Sequence, residues 1–105
     1  MLMFEHLGEV EKEIHGFAGY FEAQLYQDVR CSIEPRTHTL KMRSWFPIYF
    51  PILRPELLSP GAKLEVELWR KSDEEKVWYE WQFRTEAWQS EIHNLEGRSY
   101  AIRKL

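Results

Sequence analysis

At 105 residues the chain has room for one domain built on one core. Its 44% hydrophobic and 30% charged residues exclude a disordered chain, and no apolar run of about 18 residues suggests a membrane span. A formal net charge of −3 supplies no basic field for nucleic acid or acidic lipid, and the lone Cys31 excludes an internal disulfide framework. A soluble, intracellular protein in a reducing compartment is therefore expected. Aromatic residues make up 15% of the chain, five of them Trp, and large aromatics favour strands and interfaces.

Residues 1–5 are apolar with no turn signal: the cut end of a strand continuing from upstream, or a start-codon scar. Between Gly8 and Gly16, Val10, Lys12 and Ile14 alternate with glutamates, while Leu7, Val10 and Ile14 also fit helical spacing; the segment is too short for a stable helix and reads as strand. From Phe17 to Val29 the period is two: Phe17, Gly19, Phe21, Ala23, Leu25 and Val29 share one face, and Tyr20, Glu22, Gln24, Tyr26 and Asp28 the other. That pattern predicts one long, half-buried strand, with Gly16 and Gly19 marking a bend or a close backbone approach. The stretch Glu34-Pro35-Arg36-Thr37 breaks it.

Residues 42–51 hold four aromatics and two prolines behind a polar Arg43-Ser44 entrance. Pro47 and Pro51 exclude a helix interior and push Phe46 and Phe50 towards extended backbone, so an edge or bulged strand presenting rings at a rim is predicted. Arg54-Pro55 and Ser59-Pro60-Gly61 read as turns. Next comes a hairpin: Leu64, Val66 and Leu68 alternate with Glu65, Glu67 and Trp69, a charged connection covers 71–76, and Val77, Tyr79, Trp81 and Phe83 alternate with Trp78, Glu80, Gln82 and Arg84. Trp69 and Trp78 flank the turn, where a cross-strand aromatic pair is expected. Residues 85–92 have no firm period, 94–97 read as a turn, and Tyr100, Ile102 and Lys104 suggest a closing strand. Together these predict five to seven mostly antiparallel strands in an all-β sandwich or barrel, with a barrel favoured because closure hides strand edges.

The four histidines are scattered without ligand spacing, so no metal site is expected. Cys31 and His38 could be drawn as a nucleophilic pair, but packing in a strand explains Cys31 better, and no phosphate-binding glycine loop occurs. Glu65, Glu67, Glu74, Glu75 and Glu80 read as a solvated face, not as paired catalytic acids. The aromatic run remains, either as packing between core and interface or as a wall for a planar or cationic group, since indole faces attract guanidinium.

Several blocks carry a resemblance: Gly16-Phe17-Ala18-Gly19-Tyr20-Phe21-Glu22, Leu25-Tyr26-Gln27-Asp28, Ser44-Trp45-Phe46-Pro47-Ile48, Lys76-Val77-Trp78-Tyr79-Glu80-Trp81, and Ile92-His93-Asn94 with Gly97-Arg98-Ser99-Tyr100. In this order they resemble the C-terminal β-barrel of the type II protein arginine methyltransferases, the symmetrically dimethylating enzymes, over nearly the whole chain from His15. The resemblance implies an all-β, barrel-like module, residues 1–105 as a single domain, which in the full-length family follows a Rossmann-like domain that binds S-adenosylmethionine and holds paired catalytic glutamates. It implies that Trp45 stacks on a substrate guanidinium, with Ser44 and Phe46 shaping the peptide channel. Arg43 departs from the family's Phe and should weaken or redirect substrate contact. With no cofactor domain and no catalytic residue in these 105 residues, the isolated chain is expected to be inactive. Implied partners are arginine- and glycine-rich segments such as histone tails and spliceosomal proteins, the family's cofactor domain, and a second copy; the implied location is cytoplasm and nucleus. The competing expectation is an independent all-β module gripping a peptide or carbohydrate with its aromatic rim.

Overall fold

The computed structural model describes residues 1–43 and 45–105. Eight strands account for the fold: β1 (Leu2–Glu5), β2 (Lys12–Gly19), β3 (Glu22–Tyr26), β4 (Val29–Ser32), β5 (Ile48–Leu58), β6 (Lys63–Ser72), β7 (Lys76–Arg84) and β8 (Ile102–Arg103), with one 3-10 turn, η1 (Leu95–Gly97). The chain is all-β, as its period-two pattern requires. Strands β1-β6-β7-β8 form one sheet, and β2-β5 and β3-β4 form two-stranded pairs. Among the described residues the strands do not close into the expected barrel: the four-stranded sheet keeps two edges, at β1 and β8, and each remaining pair has two. Two compact units result, one of Met1–Ile14 with Ile52–Leu105, the other of His15–Pro51.

The first unit is built on the β6–β7 hairpin. Antiparallel register sets Val66 against Phe83 and Leu68 against Trp81, while β1 sets Leu2 against Val66 and Phe4 against Leu64. Period two therefore gathers these residues on one face, where Leu64, Val66, Trp81 and Phe83 are buried. Asp73 closes the hairpin by accepting the backbone N–H of Glu75 at 2.8 Å and of Lys76 at 2.9 Å, so the loop is shorter than the charged run suggests. Trp69 lies across from Glu80 and Trp78 across from Lys71, so the two indoles are diagonal and not opposite. Ser59–Ala62 is the expected turn: Ala62 N–H donates to Ser59 O at 3.0 Å, Pro60 supplies the bend and Gly61 takes φ 79°. No turn forms at Arg54-Pro55. Strand β5 runs on through Pro55, which a strand with one paired neighbour tolerates.

The second unit corrects the long-strand expectation. Residues 17–29 are divided among β2, β3 and the start of β4, because the chain leaves the strand at Tyr20 and reverses at Gln27 with φ 48°. Strands β3 and β4 then pair as a ribbon, Ala23 opposite Cys31, with a register shift between Gln24 and Tyr26. The segment before β2 also starts later than predicted, since residues 8–10 bend and the strand begins at Lys12. The close approach expected at Gly16 is present: a Cβ there would sit 2.5 Å from Phe50 O and 2.7 Å from the Tyr49 ring. Tyr49 Oη donates to His15 O at 2.9 Å beside it.

Candidate functional site

The chain between β4 and β5 begins as a rigid polar knot. Ser32 is buried, its N–H donates to Thr39 Oγ1 at 2.9 Å, and Thr39 N–H returns to Ser32 O at 2.9 Å. Thr37 Oγ1 reaches Ser32 Oγ and donates to Glu22 Oε1, both at 2.8 Å. Arg36 donates from Nε to Glu34 Oε1 and from its backbone N–H to Glu34 Oε2, each at 2.9 Å, and the guanidinium bond above all holds the Glu34 carboxyl below its usual range. The knot around Pro35 thus satisfies its own donors and fixes where the following residues leave the ribbon.

Past Thr39 the predicted aromatic stretch is strand only in its second part: residues 42, 43 and 45–47 lie outside any strand, and residues 48–51 open β5, which starts at Ile48 directly after Pro47. Lys41 takes φ 62°, a left-handed turn uncommon outside glycine. Met42 points back, its Sδ 3.9 Å from the Cys31 thiol, which assigns Cys31 to packing. Trp45 packs T-shaped against Phe21, with ring centroids 5.6 Å apart and planes at 80°, and remains 61% exposed. Phe46 is 76% exposed. Of the three residues expected to contact substrate, Trp45 and Phe46 are adjacent on this rim, and Ser44 lies outside the described residues. An exposed indole packed against one neighbouring ring can still stack on a guanidinium or another flat cation.

Two features of this unit escaped the sequence pattern. Leu25, Tyr26 and Val29 are exposed together at the ribbon tip, Leu25 at 66% and Tyr26 at 70%. Alternation assigned Leu25 and Val29 to the inner face, and no residue signal predicts the register shift that brings all three to the surface. The second feature was countable: residues 35–55 contain no Asp or Glu, although acids outnumber bases over the chain.

In the first unit, Glu80 is 2% exposed and not part of a solvated face. Burial pushes its carboxyl up, but hydrogen bonds from Trp78 Nε1 at 2.8 Å and Glu96 N–H at 2.9 Å, with Lys71 Nζ at 3.2 Å, outweigh it and hold the group below its usual value. Asn94, at φ 59°, donates to the carbonyls of Tyr79 and Tyr100 and accepts the N–H groups of Ser99 and Tyr100. These contacts clamp the chain around η1 onto β7. Their geometry is that of a structural anchor, with the carboxylate fully occupied by its donors.

The sequence model of one family, the PRMT5 oligomerisation domain, matches residues 2–102. The chain is 52% identical over 89 residues to Protein arginine N-methyltransferase 5 of Oryza sativa subsp. indica and 51% identical over 89 residues to that of Xenopus laevis. Each alignment covers 85% of this chain and 14% of the relative. Protein arginine N-methyltransferase skb1 of Schizosaccharomyces pombe is 40% identical over 103 residues, covering 84% of this chain and 16% of the relative. The chain therefore spans about a seventh of the length of the relatives it matches. On the match over residues 2–102, the chain belongs to the PRMT5 oligomerisation domain family.

Proposed function

We propose that the chain is a subunit-contact module of a type II protein arginine methyltransferase. The observation that carries this reading is the apolar ribbon tip, Leu25, Tyr26 and Val29, exposed on an isolated two-stranded pair. Such a pair is marginal in water by itself, and clustered apolar residues on its surface call for a covering partner. The family's description as an oligomerisation domain supports a second copy in that role. Sedimentation velocity over a concentration series tests it. Species heavier than the 12.8 kDa monomer are expected, with a shift back to monomer in Leu25→Asp/Tyr26→Asp. A monomer at every concentration overturns the reading.

The exposed indole of Trp45, packed against Phe21, favours a second role within the same protein: contact with substrate arginine, in arginine- and glycine-rich segments such as histone tails and spliceosomal proteins. Methyl transfer itself belongs, on this reading, to a separate domain that holds S-adenosylmethionine and the catalytic glutamates, and the place of action is the cytoplasm and nucleus. Calorimetry of the isolated chain with S-adenosylmethionine is expected to give no heat of binding.

A further inference from the structure

The loop that carries Trp45 is charged in a way that stacking on arginine does not explain. No acid occurs between Pro35 and Pro55, whereas Arg36, Lys41 and Arg43 all precede Trp45. Arg36 is already committed to Glu34 at 2.9 Å. Lys41 and Arg43 are exposed on either side of the anchored Met42 and have no ion-pair partner among the described residues. A bare guanidinium and ammonium beside an arginine-binding ring repel an incoming arginine, unless that arginine arrives with carboxylates that neutralise them.

We propose that Lys41, Arg43 and Trp45 form a docking strip for acidic peptide segments, with Lys41 and Arg43 pairing with carboxylates that flank a target arginine on Trp45. The inference rests on the arginine contact at Trp45 for where the segment lies, and it adds the chemistry of the flanks. The anchoring supports it: Met42 rests on Cys31 and Trp45 on Phe21 while the two cations and most of the Trp45 side chain stay exposed, so little order has to be imposed when a segment binds. Because both cations are exposed, the contribution is screened by salt and modest for each pair.

The test is fluorescence anisotropy of the 105-residue chain at low ionic strength with two labelled peptides, Gly-Asp-Glu-Gly-Arg-Gly-Glu-Asp-Gly and its isosteric neutral counterpart carrying Asn and Gln. The acidic peptide is expected to bind about fivefold tighter, and the preference should vanish in Lys41→Glu/Arg43→Glu and in high salt. It should persist in Lys12→Glu, which reverses an equally exposed charge outside the strip. Equal affinity for the two peptides, no binding of either, or a preference kept by the double variant overturns the proposal. Trp45→Ala separates the two readings. If it weakens neither peptide, the arginine contact falls, while a preference still lost with Lys41 and Arg43 upholds the acidic strip.

Discussion

The imidazole of His93 accepts the backbone N–H of Leu53 at Nε2, at 2.9 Å, and so ties β5 to the segment that bridges β7. The same residue bridges Trp81 through both backbone groups, its N–H donating at 2.7 Å and its carbonyl accepting at 3.3 Å. Its ring stacks on Trp81 at 5.8 Å and 13°, with Phe83 at 5.7 Å. Because Nε2 receives a proton from Leu53, the neutral ring carries its own on Nδ1, which is buried without a hydrogen-bond partner among the described residues. Substituting His93→Phe keeps the stacking and removes the acceptor; it should lower stability by about 1 kcal/mol. His93→Ala also loses the ring contacts and should cost about 1 kcal/mol more. Urea midpoints for the two variants check the order, and an unchanged midpoint in His93→Phe would remove the tie.

Glu80 makes the fold acid-sensitive. Its folded-state carboxyl lies below the usual 4.5, so its contribution is complete above that value and is lost as pH falls through the folded value. Asp73, held down by the backbone N–H groups of Glu75 and Lys76, and Glu34, held down by Arg36, act with the same sign. The melting temperature should therefore stay level from neutral pH to about 5 and fall below it. Glu80→Gln keeps an oxygen for Trp78 and Glu96 but turns an amide towards Lys71. It should destabilise by about 1–3 kcal/mol at pH 7 and flatten the acid limb. A variant whose melting profile runs parallel to that of the parent at all pH values would clear Glu80 of this role.

Gly16 is constrained by space and not by its backbone angles. An added methyl would meet Phe50 O at 2.5 Å and the Tyr49 ring at 2.7 Å, and the carbonyl cannot move without disturbing β5. Gly16→Ala should cost about 1–3 kcal/mol, whereas Gly19→Ala, whose nearest neighbour is a Phe50 ring atom at 3.1 Å, should cost less. Thermal melting of the pair measures the difference. Equal losses would mean that the β2–β5 contact relaxes freely.

The all-β fold, the β6–β7 hairpin and the Ser59–Ala62 turn were legible because each depends on a local signal: period two over buried Leu64, Val66, Trp81 and Phe83, or Pro60-Gly61 in sequence. The break at Tyr20 and the reversal at Gln27 were not. Alternation continues through Tyr20 and lapses only at the single polar position Gln27, where the turn uses Gln at positive φ and Gly or Asn would have announced it. Glu80 looked solvated because sheet alternation places it on the polar face; it is buried by the 94–97 turn folding over it, a contact between segments sixteen residues apart. Trp45 and Phe46 were singled out by ring density and family resemblance. The cations beside them needed the structure, which separates Arg36, tied to Glu34, from Lys41 and Arg43, which have no ion-pair partner among the described residues.

Trp45 separates packing from recognition. Its indole packs T-shaped against Phe21 and is 61% exposed, so truncation removes little buried area. Trp45→Ala should lower stability by about 1 kcal/mol, well short of the 3–5 kcal/mol typical of a core aromatic. A ring whose task is to face a guanidinium should instead lose most of its binding to an arginine peptide, and Trp45→Phe should recover part of it, because a smaller ring keeps a weaker cation–π face. Arginine methylation by a full-length relative bearing the matching substitution should fall steeply while its melting temperature holds. Losses of stability and activity in the same proportion would assign Trp45 to packing alone.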